Sequence, residues 1–115
     1  MSVNEGLPLR IVERLKRKYD LGNLTVGILG MAFKADSDDP RASLSYKLKR
    51  ILQFEAKQVL TTDPYVKNDD ELEVLELVCS KSDLLILATP HSDYKELKFR
   101  VPLIDTWGFT RESTT

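Results

Sequence analysis

The stretch "ILGMAFKADSDDPRAS", residues 28–43, places Lys34 and Arg41 among Asp36, Asp38 and Asp39. A lysine serves as a compact point charge and an arginine as a bidentate fork, and the two together suit a phosphate-bearing ligand. A cation near a helix N-terminus is unfavourable unless an anion answers it, and a bound phosphate would be such an anion. The other reading pairs both cations with the neighbouring aspartates across a solvated loop, and spacing by itself leaves the two open. Some of the charge is architectural. Pro40 suits the first position of a helix with Asp39 as its N-cap, and Ser43 is an equally legal cap one turn later.

The elements that must hold this segment are readable from periodicity. Ile11, Val12, Leu15 and Tyr19 recur at helical spacing, in a stretch opened by Pro8 and closed by Gly22. "LTVGIL" (24–29), "KQVLTT" (57–62), "DLLILAT" (83–89) and "VPLID" (101–105) are short, largely apolar runs of buried-strand type. Between them, Leu44, Leu48, Ile51 and Leu52 form one helical stripe, and Leu72, Leu75, Val78 and Cys79 form another, with a short helical turn over 92–97. Strands apolar on both faces that alternate with helices predict a three-layer α/β domain, a doubly wound, Rossmann-like parallel sheet of about four strands. The whole chain, 1–115, reads as one domain with flexible ends at 1–6 and 110–115. Its opening helix has no strand before it, so it looks like a piece of something longer. In such sheets ligands bind beyond the carboxyl ends of the strands, and residues 30–40 lie there in a loop longer than the usual ~2–6 residues of a βα joint.

Composition narrows the function. Seventeen Lys and Arg against eighteen Asp and Glu give a net charge of −1, which offers no electrostatic footprint for nucleic acid or an anionic membrane. The first twenty residues are too charged for a signal peptide and no run approaches a membrane span, so a cytoplasmic location is expected. One cysteine and one histidine exclude an internal disulfide and a His/Cys metal cluster. Cys79 lies on an apolar helical stripe without a base beside it and reads as a structural thiol. Asp63 follows the second strand, but too far beyond Gly30 for the ~20-residue spacing at which a dinucleotide fold holds its ribose, and with Pro64 next it reads as a turn residue. His91 stays unassigned, since a lone loop histidine is usually exposed polar surface. Tyr65, Trp107 and Phe109 could stack on a base, although aromatic side chains more often fill cores or interfaces. A signalling receiver fits badly, because the Asp38–Asp39 pair lies well past the first strand and the third run ends in Ala88 and Thr89.

The pattern G-x-x-F-K-x-x-x-D-D-x-R-x-S, met by Gly30, Phe33, Lys34, Asp38, Asp39, Arg41 and Ser43, is followed by "TTDPYV", "LLILATPHSDYKEL" and "LIDTWG". The sequence thereby resembles the C-terminal, nucleotide-sugar-binding domain of the UDP-glucose/GDP-mannose dehydrogenase family, from about Asn4 to about Gly108. The resemblance implies half of a site. Family enzymes oxidise the C6 alcohol of a nucleotide-linked hexose to a carboxylate with NAD, which an N-terminal Rossmann domain binds, and they act as homodimers. It implies that Phe33 and Lys34 contact the nucleotide sugar, UDP-linked by preference, and that Arg41 reaches NAD across the cleft. The nucleophilic cysteine of the family precedes this domain, and Gly27 and Gly30 supply only G-x-x-G in place of G-x-G-x-x-G. No catalytic residue and no metal ligand is therefore expected here, and the chain alone should be inert. Family enzymes specific for UDP-glucose tend to carry an arginine after the last strand; "IDTWGFTR" has Trp107 near that place, so either Arg111 substitutes or the sugar differs. The alternative is a stand-alone, non-catalytic module that binds nucleotide sugars or assembles with a separate chain.

Overall fold

The computed structural model describes residues 7–32, 44–66, 69–89, 91–94 and 99–105. Helix α1 (Leu7–Lys18) turns Ile11, Val12 and Leu15 inward and ends on Lys16, Arg17 and Lys18, whose charge complements the helix dipole. A 3₁₀ turn at Leu21–Asn23 leads into β1 (Thr25–Leu29), followed by α2 (Leu44–Glu55), β2 (Gln58–Thr62), α3 (Leu75–Lys81), β3 (Leu84–Leu87), a second 3₁₀ turn (Ser92–Tyr94) and β4 (Leu103–Asp105). All four strands are parallel and lie in the order β2-β1-β3-β4. This is the doubly wound α/β sheet that the apolar runs predict. The predicted turn at 92–97 is found over Ser92–Tyr94; residues 95–98, the two chain ends and the expected caps Asp39 and Ser43 lie outside the described residues.

Alternation along the strands divides the core between two faces. Val26, Ile28, Leu84, Ile86 and Ile104 pack with α1 and α2, while Leu29, Leu60, Leu85, Leu87 and Leu103 face the layer that contains Val78 of α3. Because side chains point both ways, β1 and β3 are buried at every position, which is why neither shows a period of two in its sequence.

One predicted stripe splits. Leu75, Val78 and Cys79 belong with the α3 layer, whereas Leu72 precedes the helix and packs against the α1–α2 layer. The backbone explains the change of face: the Glu73 amide donates to the Thr61 carbonyl at 2.8 Å, so the chain crosses the outer edge of β2 between the two leucines.

Gly27 sets how closely α3 approaches the sheet. A Cβ there would lie 2.4 Å from Ser82 Oγ, 2.6 Å from Val78 Cγ1 and 2.7 Å from Leu85 Cδ2. Gly27→Ala is expected to cost about 1–3 kcal/mol by overpacking, read as a lower thermal midpoint; an unchanged midpoint would mean that α3 can move out freely.

Candidate functional site

β1 is the strand about which the chain order reverses, with β2 on one side and β3 on the other. A crevice at such a switch point is where open α/β sheets bind ligands. Immediately after β1, Gly30 takes a left-handed φ of +91° and comes so close to Thr89 that a Cβ would stand 2.5 Å from the Thr89 Cβ and 2.6 Å from its carbonyl oxygen. Glycine is required by both conformation and space.

Two buried hydroxyls fasten this crossing. Ser45 Oγ, in the first turn of α2, donates to the Gly30 carbonyl at 2.5 Å, and Thr89 Oγ1 donates to the Ala32 carbonyl at 2.7 Å, with the two hydroxyl oxygens 3.2 Å apart. The carbonyls of the departing chain are thus held from the α2 and β3 sides.

Its amides are held from the β2 side by Asp63. The Asp63 carboxylate accepts five hydrogen bonds: at Oδ1 from the Tyr65 and Val66 amides (2.7 and 3.0 Å), and at Oδ2 from the Met31 and Ala32 amides (2.6 and 3.1 Å) and from His91 Nε2 (2.8 Å). Both side chains are fully buried. Burial alone would raise the Asp63 pKa, yet the bonds from His91, Tyr65, Val66 and Met31 prevail and hold it at about 2. The carboxylate is therefore ionised at neutral pH, and His91 Nε2 must be the protonated nitrogen that faces it. The His91 ring lies between Tyr65, with centroids 4.8 Å apart, and Tyr94, at 5.8 Å.

The turn reading of Asp63 accounts for Oδ1 and misses everything at Oδ2. His91, expected as exposed surface, is buried, and the half-buried Tyr65 ring packs on it. A usable signal was the parallel wording of "TTDP" and "ATPH", in which each apolar run ends in threonine and polar groups beside a proline, at the edge of the sheet where sites form. Phe33, Lys34 and Arg41, together with Trp107, Phe109 and Arg111, lie outside the described residues; Phe33 and Lys34 follow directly on Ala32. Cys79 is half-buried and burial pushes its thiol pKa up, the wrong direction for a nucleophile. A cleft of about 480 Å³ opens beside the Asp63 turn, lined mainly by Pro64, Leu72, Val74, Leu75 and Tyr94 with Glu73 exposed in its wall. Among the described residues no group of His, Cys, Asp or Glu could hold a metal, and no helix is long and apolar enough to cross a membrane.

The sequence profile of the UDP-binding domain of the UDP-glucose/GDP-mannose dehydrogenases matches residues 27–111, which takes in the end of β1, the other three strands and the switch-point crevice. The chain belongs to this family. It is 29% identical over 102 residues to the UDP-N-acetyl-D-mannosamine dehydrogenase of Pyrococcus horikoshii, covering 84% of this chain and 24% of that protein. It is 36% identical over 64 residues to the UDP-glucose 6-dehydrogenase of Haloferax volcanii, covering 56% of this chain and 15% of that one. The solved UDP-glucose dehydrogenase of Pyrobaculum islandicum superposes with a TM-score of 0.80 at 27% identity, over 97% of this chain and 29% of the other. These family relatives are dehydrogenases by name, and the chain spans between 15% and 29% of their length.

Because the Asp63 pKa is lowered from 3.8 to about 2, its stabilisation is complete above pH 4 and is lost as the pH falls through about 2. The contribution is on the order of 2 kcal/mol. Denaturant unfolding measured between pH 5 and pH 2 should show an acid limb that Asp63→Asn flattens; equal limbs in the two proteins would contradict the assignment.

Proposed function

We propose that this chain is the substrate-binding domain of an NAD-dependent dehydrogenase that oxidises the C6 alcohol of a nucleotide-linked hexose, UDP-linked by preference, to the uronic acid. The observation that carries the reading is the coincidence of the family match with a switch-point crevice whose clamped strand end runs straight into Phe33 and Lys34. UDP is favoured over GDP because the matched domain is described as UDP-binding and the relatives cited above act on UDP-sugars by name.

In this reading Lys34 supplies a point charge to the nucleotide sugar and Phe33 an apolar contact, and both orient the sugar for chemistry performed elsewhere. The described residues do not fit a dinucleotide. The Met31 and Ala32 amides, which follow the first strand where a Rossmann domain would meet a pyrophosphate, are already occupied by the Asp63 carboxylate. NAD is accordingly assigned to an N-terminal domain of the same enzyme, outside these 115 residues, with Arg41 reaching toward it. The nucleophile is assigned to that portion too, so the chain alone is expected to be inactive. A homodimeric full-length enzyme in the cytoplasm, where nucleotide sugars and NAD are both available, completes the proposal.

The test is an amide-shift titration of the chain with UDP, UDP-glucose and NAD. Shifts at Phe33 and Lys34 with the two uridine ligands and none with NAD are expected, and Lys34→Ala should weaken UDP binding about tenfold, or ~1.4 kcal/mol. Silence with both uridine ligands, or unaltered binding by Lys34→Ala, would refute the reading.

A further inference from the structure

The two oxygens of Asp63 do different work. Oδ1 accepts from Tyr65 and Val66, the amides of its own turn, and these bonds suffice to shape that turn. Oδ2 accepts from Met31 and Ala32 at the end of β1 and from His91 after β3, so one atom joins three separate strand ends. A turn-forming aspartate needs no such reach.

His91 supplies a side-chain donor to Oδ2. Its ring is buried between Tyr65 and Tyr94, its amide is tied to the Thr89 carbonyl at 2.8 Å, and Thr89 in turn holds the Ala32 carbonyl. The Ala32 residue is therefore held at its amide by Asp63 and at its carbonyl by Thr89, and both holders are referred to the same short segment after β3. Phe33 begins at that carbonyl.

We propose that Asp63, oriented by His91, is a positioning residue for nucleotide-sugar binding: through Oδ2 it fixes the Met31 and Ala32 peptides from which Phe33 and Lys34 depart. The inference rests on the reading of Phe33 and Lys34 as substrate contacts. It adds that the binding strength of those residues is set by a buried pair that touches no ligand.

The experiment uses the full chain and compares Asp63→Ala, His91→Ala and His91→Gln by hydrogen exchange and by UDP calorimetry. In His91→Ala, the Met31 and Ala32 amides should exchange about tenfold faster while Val26 and Ile28 keep their protection. UDP affinity should fall by roughly fivefold or more. His91→Gln, whose side-chain amide can donate to Oδ2, should recover most of both losses. Added formate should restore the Asp63→Ala chain, and neutral formamide should not. If Asp63→Ala does not fold, the two His91 variants carry the comparison by themselves.

Retained protection of Met31 and Ala32 in His91→Ala would overturn the proposal, as would lost protection with unchanged UDP affinity, or a glutamine variant no better than alanine. A wild-type chain that does not bind UDP overturns the substrate reading and with it any role in binding. Unchanged affinity in the variants of a chain that does bind overturns positioning alone.

Discussion

A buried carboxylate at the meeting point of three strands is the constraint around which this domain is arranged. An ionised group cannot be taken out of water without replacing its hydration, and Asp63 is stable only when the amides after β1, the amides of its own turn and the His91 ring all reach it together. The arrangement of the strand ends follows from that demand. β1 is also held at its other end by an aspartate, since the Thr25 amide donates to Asp83 Oδ2 at 3.0 Å and the Asp83 amide donates to the Thr25 carbonyl at 2.7 Å. The central strand is thus fixed at both termini by acidic residues of the strands beside it.

The same constraint separates this domain from dinucleotide-binding relatives in architecture. Both have a parallel sheet with a switch point and a glycine after the first strand, and in both the amides beyond that strand attract an anion. Here the anion is part of the protein. The Met31 and Ala32 amides are therefore not free to meet a negatively charged ligand.

Periodicity was enough for the layers, because strands apolar on both faces can be stable only between helices. It failed at Leu72, where helical spacing to Leu75 is accidental and the crossing at Glu73 sends the two side chains to opposite faces. It also failed at Asp63 and His91. Proline at 64 announces the turn that Oδ1 makes, but the partners of Oδ2 are distant in sequence and converge only once β1 is known to lie between β2 and β3, which no local pattern states. The charged segment at 33–43, which the family motif singles out, lies outside the described residues.

The crossing at Glu73 has a bearing on how this domain can associate. β2 forms one margin of the sheet, and a margin of unsatisfied backbone groups invites another chain to add a strand. The bond from the Glu73 amide to the Thr61 carbonyl takes up one of those groups near the site end of the strand, and the opposite end carries the exposed, polar Lys57 and Gln58. Little continuous backbone is left on that margin as a template for another strand. Of the sheet's two margins, β2 and β4, the β2 margin is thus partly taken up by the chain itself.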